Sequence, residues 1–192
     1  MSSLTSDKFK IRPVTPERWK DFAALFGKKG ACGGCWCMFW RQTRAEFEQR
    51  KGEKNRRAMK RLIDQGTVPG LLAYDDDSPV GWCSLGPRES FSALARSRIL
   101  KPVDDRPVWS VNCFFIAKAY RRQGLTVTLL KAAIEHARKN GAEILEGYPV
   151  DPGRKKYVDT FAYTGLMAAF LKSGFKEVAR RSDTRPIMRY YI

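Results

Sequence analysis

Apolar and polar positions along the chain follow two periods. Phe9 to Val14 alternates as a short first strand would. Trp19, Phe22, Ala23 and Phe26 then recur at helical spacing. Thr15-Pro16 offers an N-cap and a first helical position ahead of them, and Gly27 a stop behind. Thr43-Arg44-Ala45-Glu46 has the form of a capping box. It opens a polar helix, or a broken pair, running to Gly66 with Phe47, Met59, Leu62 and Ile63 as sparse apolar contacts. Gly70 to Gly86 predicts a hairpin turning at Asp75 to Pro79, and Ser90 to Leu100 a short helix. Val108 to Ala117 is a strand whose inner stretch, from Cys113, is apolar on both faces and so needs cover on both. The next helix has Val127, Leu130, Ala133, Ile134 and Ala137 on one face and closes at Asn140-Gly141. A strand over Ala142 to Val150, a basic loop to Thr164, a helix from Gly165 to Lys172 and strands from Phe175 to Arg180 and Pro186 to Ile192 complete the order. Alternation of this kind predicts an α/β fold. At 192 residues the chain is expected to form one domain spanning 1–192.

Charge narrows the partners. Lys and Arg number 36 against 20 Asp and Glu, a formal balance of +16 that draws the protein toward anions. The densest run, Arg50 to Arg61, lacks interleaved aromatics and reads as a solvated helix face, so a nucleic-acid partner has no stacking platform there. No apolar run reaches the roughly 18 residues of a membrane span, and nothing near Met1 has the form of a signal peptide. The expectation is a cytoplasmic protein without a membrane partner. Five cysteines, an odd number, fit reduced thiols. Cys32-Gly33-Gly34-Cys35-Trp36-Cys37 lacks the four ligands of a closed zinc site, so no metal is expected. Its small residues instead suit a tightly packed loop.

The chemistry concentrates between Val108 and Gly141. An apolar strand runs into Arg121-Arg122-Gln123-Gly124-Leu125-Thr126, from which a helix opens directly. Unpaired N–H groups at a helix start, the positive end of its dipole and two cationic side chains make a site for a pyrophosphate. This segment resembles the signature of the GNAT superfamily of acetyl-coenzyme-A-dependent N-acetyltransferases, Gln/Arg-x-x-Gly-x-Gly/Ala. It matches at Arg121 and Gly124, and Thr126 stands where the family's last small residue falls. Pro79-Val80-Gly81-Trp82, Asn140-Gly141-Ala142 and Leu171 to Phe175 fall where that family's other landmarks do, so the similarity covers Phe9 to Ile192. The resemblance implies a central twisted, mostly antiparallel mixed sheet flanked by helices.

It also implies roles. Backbone groups of Phe114, Phe115 and Ile116 would pair with the pantetheine arm of acetyl-CoA. Arg121, Arg122, Gln123, Gly124, Leu125 and Thr126 would hold its pyrophosphate. Acetyl-CoA enters as co-substrate, and an acceptor amine attacks its thioester directly. The family's usual acidic tyrosine falls at Phe170 and its usual base near Trp109 and Ser110, so neither group is present. Tyr163, Cys113 and Glu146 are the substitutes by position. The acceptor pocket is expected from Trp36, Trp40, Arg41, Trp82, Arg88 and Tyr148, with Phe39, Arg154 and Lys155 nearby. Aromatic and cationic, it suits a small amine bearing a carboxylate or phosphate. Acetylation of a macromolecule, binding without catalysis, and a homodimer stay open.

Overall fold

The structure is a computed structural model and describes residues 8–153 and 163–192. In chain order its elements are β1 (Lys10–Pro13), α1 (Trp19–Phe26), α2 (Arg44–Arg50), α3 (Glu53–Asp64), β2 (Gly70–Asp75), β3 (Ser78–Pro87), α4 (Ser92–Ala95), β4 (Trp109–Ile116), α5 (Leu125–Lys139), β5 (Ile144–Gly147), α6 (Met167–Lys172), β6 (Lys176–Arg180) and β7 (Pro186–Tyr191). The strands form one sheet in the order β1-β2-β3-β4-β5-β7-β6. Every neighbouring pair is antiparallel except β4 and β5, which α5 connects as a parallel crossover.

β4 is covered on both faces, as its apolar run requires. On one face Val111 and Phe114 join Leu71, Ala73, Cys83 and Leu85 against Leu125, Leu129, Ala133 and Ile134 of α5. On the other, Cys113 joins Leu72, Tyr74 and Trp82 against Phe22 and Phe26 of α1, Met59 and Ile63 of α3, and Trp36. A smaller cluster of Phe91, Leu94, Leu100, Tyr148 and Ile187 closes the end of the sheet beside β5 and β7.

Local signals and packing agree at most element ends. Thr43 and Glu46 exchange both bonds of the capping box. Gly52, at φ +81°, breaks the polar segment into α2 and α3. Four expectations are corrected. Thr15 makes no side-chain cap, because a 3-10 turn over Pro16–Arg18 precedes α1 and Arg18 bonds the Thr15 hydroxyl instead. The helix expected over Ser90 to Leu100 shrinks to α4, since Arg88 draws the Leu100 carbonyl inward. α5 begins two residues before Val127, so Leu125 and Leu129 enter the core and Val127 stays half-buried. The strand expected to Val150 leaves the sheet after Gly147.

Where β4 and β5 run together, a charged network lies under them. Glu146, fully buried, accepts from Arg88 Nη1 at 2.9 Å, Arg189 Nε at 2.7 Å and the Tyr148 hydroxyl at 2.7 Å. Arg189 also holds Asp104 through two bonds, and Tyr148 shares its hydroxyl with Ser110. Burial first, and then Glu146, pushes the Tyr148 phenol well above its ordinary range. Removing one partner of such a network strands charge in the interior. Glu146→Ala is therefore expected to cost about 3–5 kcal/mol of stability, read from urea unfolding midpoints at constant slope.

Candidate active site

β4 and β5 share only three register positions, Trp109↔Leu145, Ser110↔Glu146 and Val111↔Gly147. Beyond them the strands part. A side chain at position 147 would overlap the Phe170 ring, which fills the space beneath the parting and lies edge-on to Phe114 and Phe175. Among the described residues, the far half of β4 therefore keeps an edge with no strand beside it. Ala117 donates to Val80, so by the alternation of an antiparallel ladder the Phe115 backbone faces β3 while Phe114 and Ile116 face the parting. This corrects the expectation for Phe115, whose main-chain groups belong to the sheet. Along that edge the Phe114 N–H donates to the Tyr163 carbonyl at 2.6 Å, and the Ile116 carbonyl accepts from Arg121 Nε at 3.1 Å.

The basic turn stands at the end of that edge. Arg122 and Gly124 have φ of +62° and +81°, folding the chain back so that α5 starts at Leu125. The first helical acceptor, the Gly124 carbonyl, takes the N–H groups of Val127 and Thr128. Those of Leu125 and Thr126 lie ahead of the helical ladder and face outward with the dipole. Nothing stands within 4 Å of where a Gly124 side chain would begin. Leu125 packs under Gly81, while Gln123 braces the turn by donating to the Ala119 carbonyl at 2.7 Å. An open cradle of N–H groups next to Arg121 and Arg122 fits a pyrophosphate.

The cysteine loop lies where the acceptor pocket was expected. Gly30, Gly33 and Gly34 adopt positive φ, as do Ala31, Trp36 and Cys37. A side chain at Gly30 would strike the Trp36 indole, and one at Gly34 would strike the Gly52 backbone. The small residues thus fold the loop onto α3 and drive Trp36 into a stack with Trp19 and Phe26. Trp82 packs edge-on to Phe22 and Phe26. Both tryptophans belong to the core, a correction to their placement as pocket walls; aromatic packing outweighs exposure here. Arg88 and Tyr148 are likewise held inside by Glu146. That carboxylate is a clamp between two guanidinium groups, so it cannot act as an unattached base. Arg154 and Lys155 lie outside the described residues.

Trp40 and Arg41 are nearer the surface. Arg41 reaches the carbonyls of Pro69 and Leu85, its guanidinium lies 4.4 Å from the Phe91 ring centroid, and burial lowers its pKa to about 10. Beside it, Met38, Gln42, Glu46, Arg50, Arg61 and Leu62 line a recess of about 250 Å³. Gln42 is 4% exposed and neither end of its amide has a partner. Nothing in the sequence singled out Gln42, because a lone glutamine carries no spacing signal. A second recess of about 260 Å³ at the β1–β2 edge mixes Lys10, Arg12 and Arg18 with Asp21, Asp76 and Asp77 and lies on the far strands of the sheet. Among the described residues, no cluster of His, Cys, Asp and Glu could hold a metal ion, and no helix is long and apolar enough to cross a membrane.

The acetyltransferase (GNAT) family model matches residues 35–155. The chain belongs to the GNAT acetyltransferase family. Solved structures agree in fold. A GNAT-family acetyltransferase of Streptococcus pneumoniae is 16% identical at a TM-score of 0.57, covering 96% of this chain and 99% of its own. The PaiA N-acetyltransferase of Thermoplasma acidophilum, solved with coenzyme A, gives 16% and 0.53 over 96% of this chain and 99% of its own. A ribosomal-protein-alanine N-acetyltransferase of Brucella melitensis gives 19% and 0.53 over 95% and 99%. No curated protein sequence matches. In this GNAT chain the parting of β4 and β5, the open edge and the Gly124 turn form one continuous feature.

Gly124→Glu would set a carboxylate in the open space of the cradle and strain a positive φ. Coenzyme A affinity is expected to disappear in calorimetry while the circular dichroism spectrum stays folded. Unchanged affinity would remove the turn from the site.

Proposed function

We propose that the protein transfers the acetyl group of acetyl-CoA to the amine of a small molecule carrying a carboxylate or phosphate. The observation that carries this reading is the guanidinium-lined recess with the buried, unpartnered Gln42 amide, which lies on the loop that also packs against β4. A small anion there would accept a hydrogen bond from the Gln42 Nε2 group, which otherwise has no partner. When bound, acetyl-CoA supplies an activated acyl carbon. The N–H groups of Leu125 and Thr126, with Arg121 and Arg122, bind the phosphates, and the main chain of Ile116 on the β4 edge orients the arm. Holding amine and acyl group in line contributes much of the rate.

Proton transfer falls to a group at the parting. Tyr163 is the candidate we favour: its carbonyl is fixed on Phe114, and its ring stands edge-on to Phe39, 5.8 Å between centroids, on the acceptor side. Phe170 occupies the position that a tyrosine holds in many relatives, and its buried ring touches the space where the strands separate. The charge of +16 supports a second reading, docking of an acidic macromolecule.

Thiol release from acetyl-CoA across a panel of amines separates these readings. Carboxylate- or phosphate-bearing amines are expected to turn over, and Gln42→Ala to raise their KM about tenfold with kcat retained. No release with any amine would sink the enzymatic reading, and activity confined to RNA or protein with a steep salt dependence would favour the macromolecule. Phe170→Tyr is expected to raise kcat at unchanged acetyl-CoA KM by supplying a proton donor, measured in the same assay.

A further inference from the structure

Three of the five thiols form a line that neither the fold nor the proposed reaction explains. Cys37, at the end of the glycine loop, donates to Cys113 Sγ on β4 at 2.9 Å. Cys35, half-buried, adjoins Cys37 on the other side and also reaches the Gly30 carbonyl. The two sulfurs of the inner pair come from segments 76 residues apart in sequence, brought together by packing of the loop onto the sheet. Cys113 sits next to Phe114, the residue whose N–H faces the parting of β4 and β5.

We propose that Cys37 and Cys113 are a disulfide-forming pair, a modification site at which a small hydroperoxide covalently ties the acceptor-side loop to the central strand. A disulfide needs sulfurs about 2.05 Å apart, so the pair must close by roughly 0.9 Å. Rotation of two side chains already in contact accomplishes this more readily than backbone movement. The polarity of the contact assigns the roles. Cys37 gives its proton toward Cys113, which with burial holds the Cys37 thiol well above its ordinary range, while Cys35 and the nearby Arg41 charge oppose that rise. Cys113, the acceptor, is the attacking sulfur.

The Cys113 sulfur takes the outer peroxide oxygen and its thiol proton passes to the departing oxygen, so a sulfenic acid forms and the alcohol, or water from hydrogen peroxide, is released. Cys37 then attacks the Cys113 sulfur, its thiol proton leaves with the sulfenic hydroxyl as water, and the S–S bond forms. Two thiols are oxidised and one peroxide bond is reduced. With Cys37 and Cys113 only 4% and 6% exposed, bulky oxidants are excluded. A small one reaches Cys113 through the parting beside it, where a bound acyl-CoA arm would stand in the way.

The site does not depend on the acetyl-transfer reading, and its test needs no turnover. The full-length protein is treated with hydrogen peroxide at micromolar concentration, alkylated after unfolding and mapped by peptide mass under non-reducing conditions. The expected result is a linked pair of peptides containing Cys37 and Cys113, lighter by two hydrogens and separated by dithiothreitol. The linked protein should melt at a higher temperature than the reduced form. Cys35→Ser should keep the link, and Cys37→Ser should abolish it and leave Cys113 as a trappable sulfenic acid. Should Cys37→Ser fail to fold, the wild-type map still decides. Alkylated Cys37 and Cys113 after complete oxidation of Cys32, or a link between Cys32 and Cys35 alone, would overturn the proposal.

Discussion

The separation of β4 from β5 after their third shared residue pair, Val111↔Gly147, is the constraint on which the rest of the molecule depends. Two opposing features sit one position apart. Just before the parting, Glu146 pulls Arg88, Arg189 and Tyr148 inward and holds the strand ends together. Just after it, the Phe170 ring occupies the space under Gly147 where a side chain would otherwise lie. A buried ion network closes the sheet up to that point, and a buried ring lies beneath the place where it opens. The result is a strand edge with directed main-chain groups, and the basic turn follows at the end of the same strand.

The aromatic content serves that arrangement indirectly. Trp19, Phe22, Phe26, Trp36 and Trp82 form one cluster behind β4. Rings of this size gain more from mutual packing than from lining a wet pocket. The glycine loop exists to deliver Trp36 into that cluster, and in doing so it brings Cys37 to Cys113. It also leaves Arg41, Gln42 and Met38 at the rim, so one packing event shapes both the thiol pair and the recess.

Much of the fold was legible along the chain. The capping box at Thr43, the hairpin before Gly86, and the turn and helix after Ile116 all rest on interactions within a few residues. The errors came where distant residues decide. The helix after Ser90 is cut short by an arginine that reaches across to Leu100. The strand after Ala142 stops at Gly147 because a ring from α6 lies beneath it. Among site residues, the Gly124 turn was legible because φ preference and helix dipole are local properties. Trp36, Trp82, Arg88 and Tyr148 had the right chemistry for a pocket, but composition cannot tell a pocket wall from a core. Gln42 left no trace in any pattern.

Local physics thus sufficed for the shape of the Gly124 turn, with glycine at a positive φ and N–H groups at a helix start, while family membership was legible in the motif resemblance from Arg121 to Thr126 and its neighbouring landmarks. Which side of β5 the charges occupy, where the strands part, and which cysteines meet depend on segments as far apart as Cys37 and Cys113 or Arg88 and Glu146. Those contacts follow from burying large rings and ion pairs in the same interior, a condition on the whole chain that no window of sequence contains.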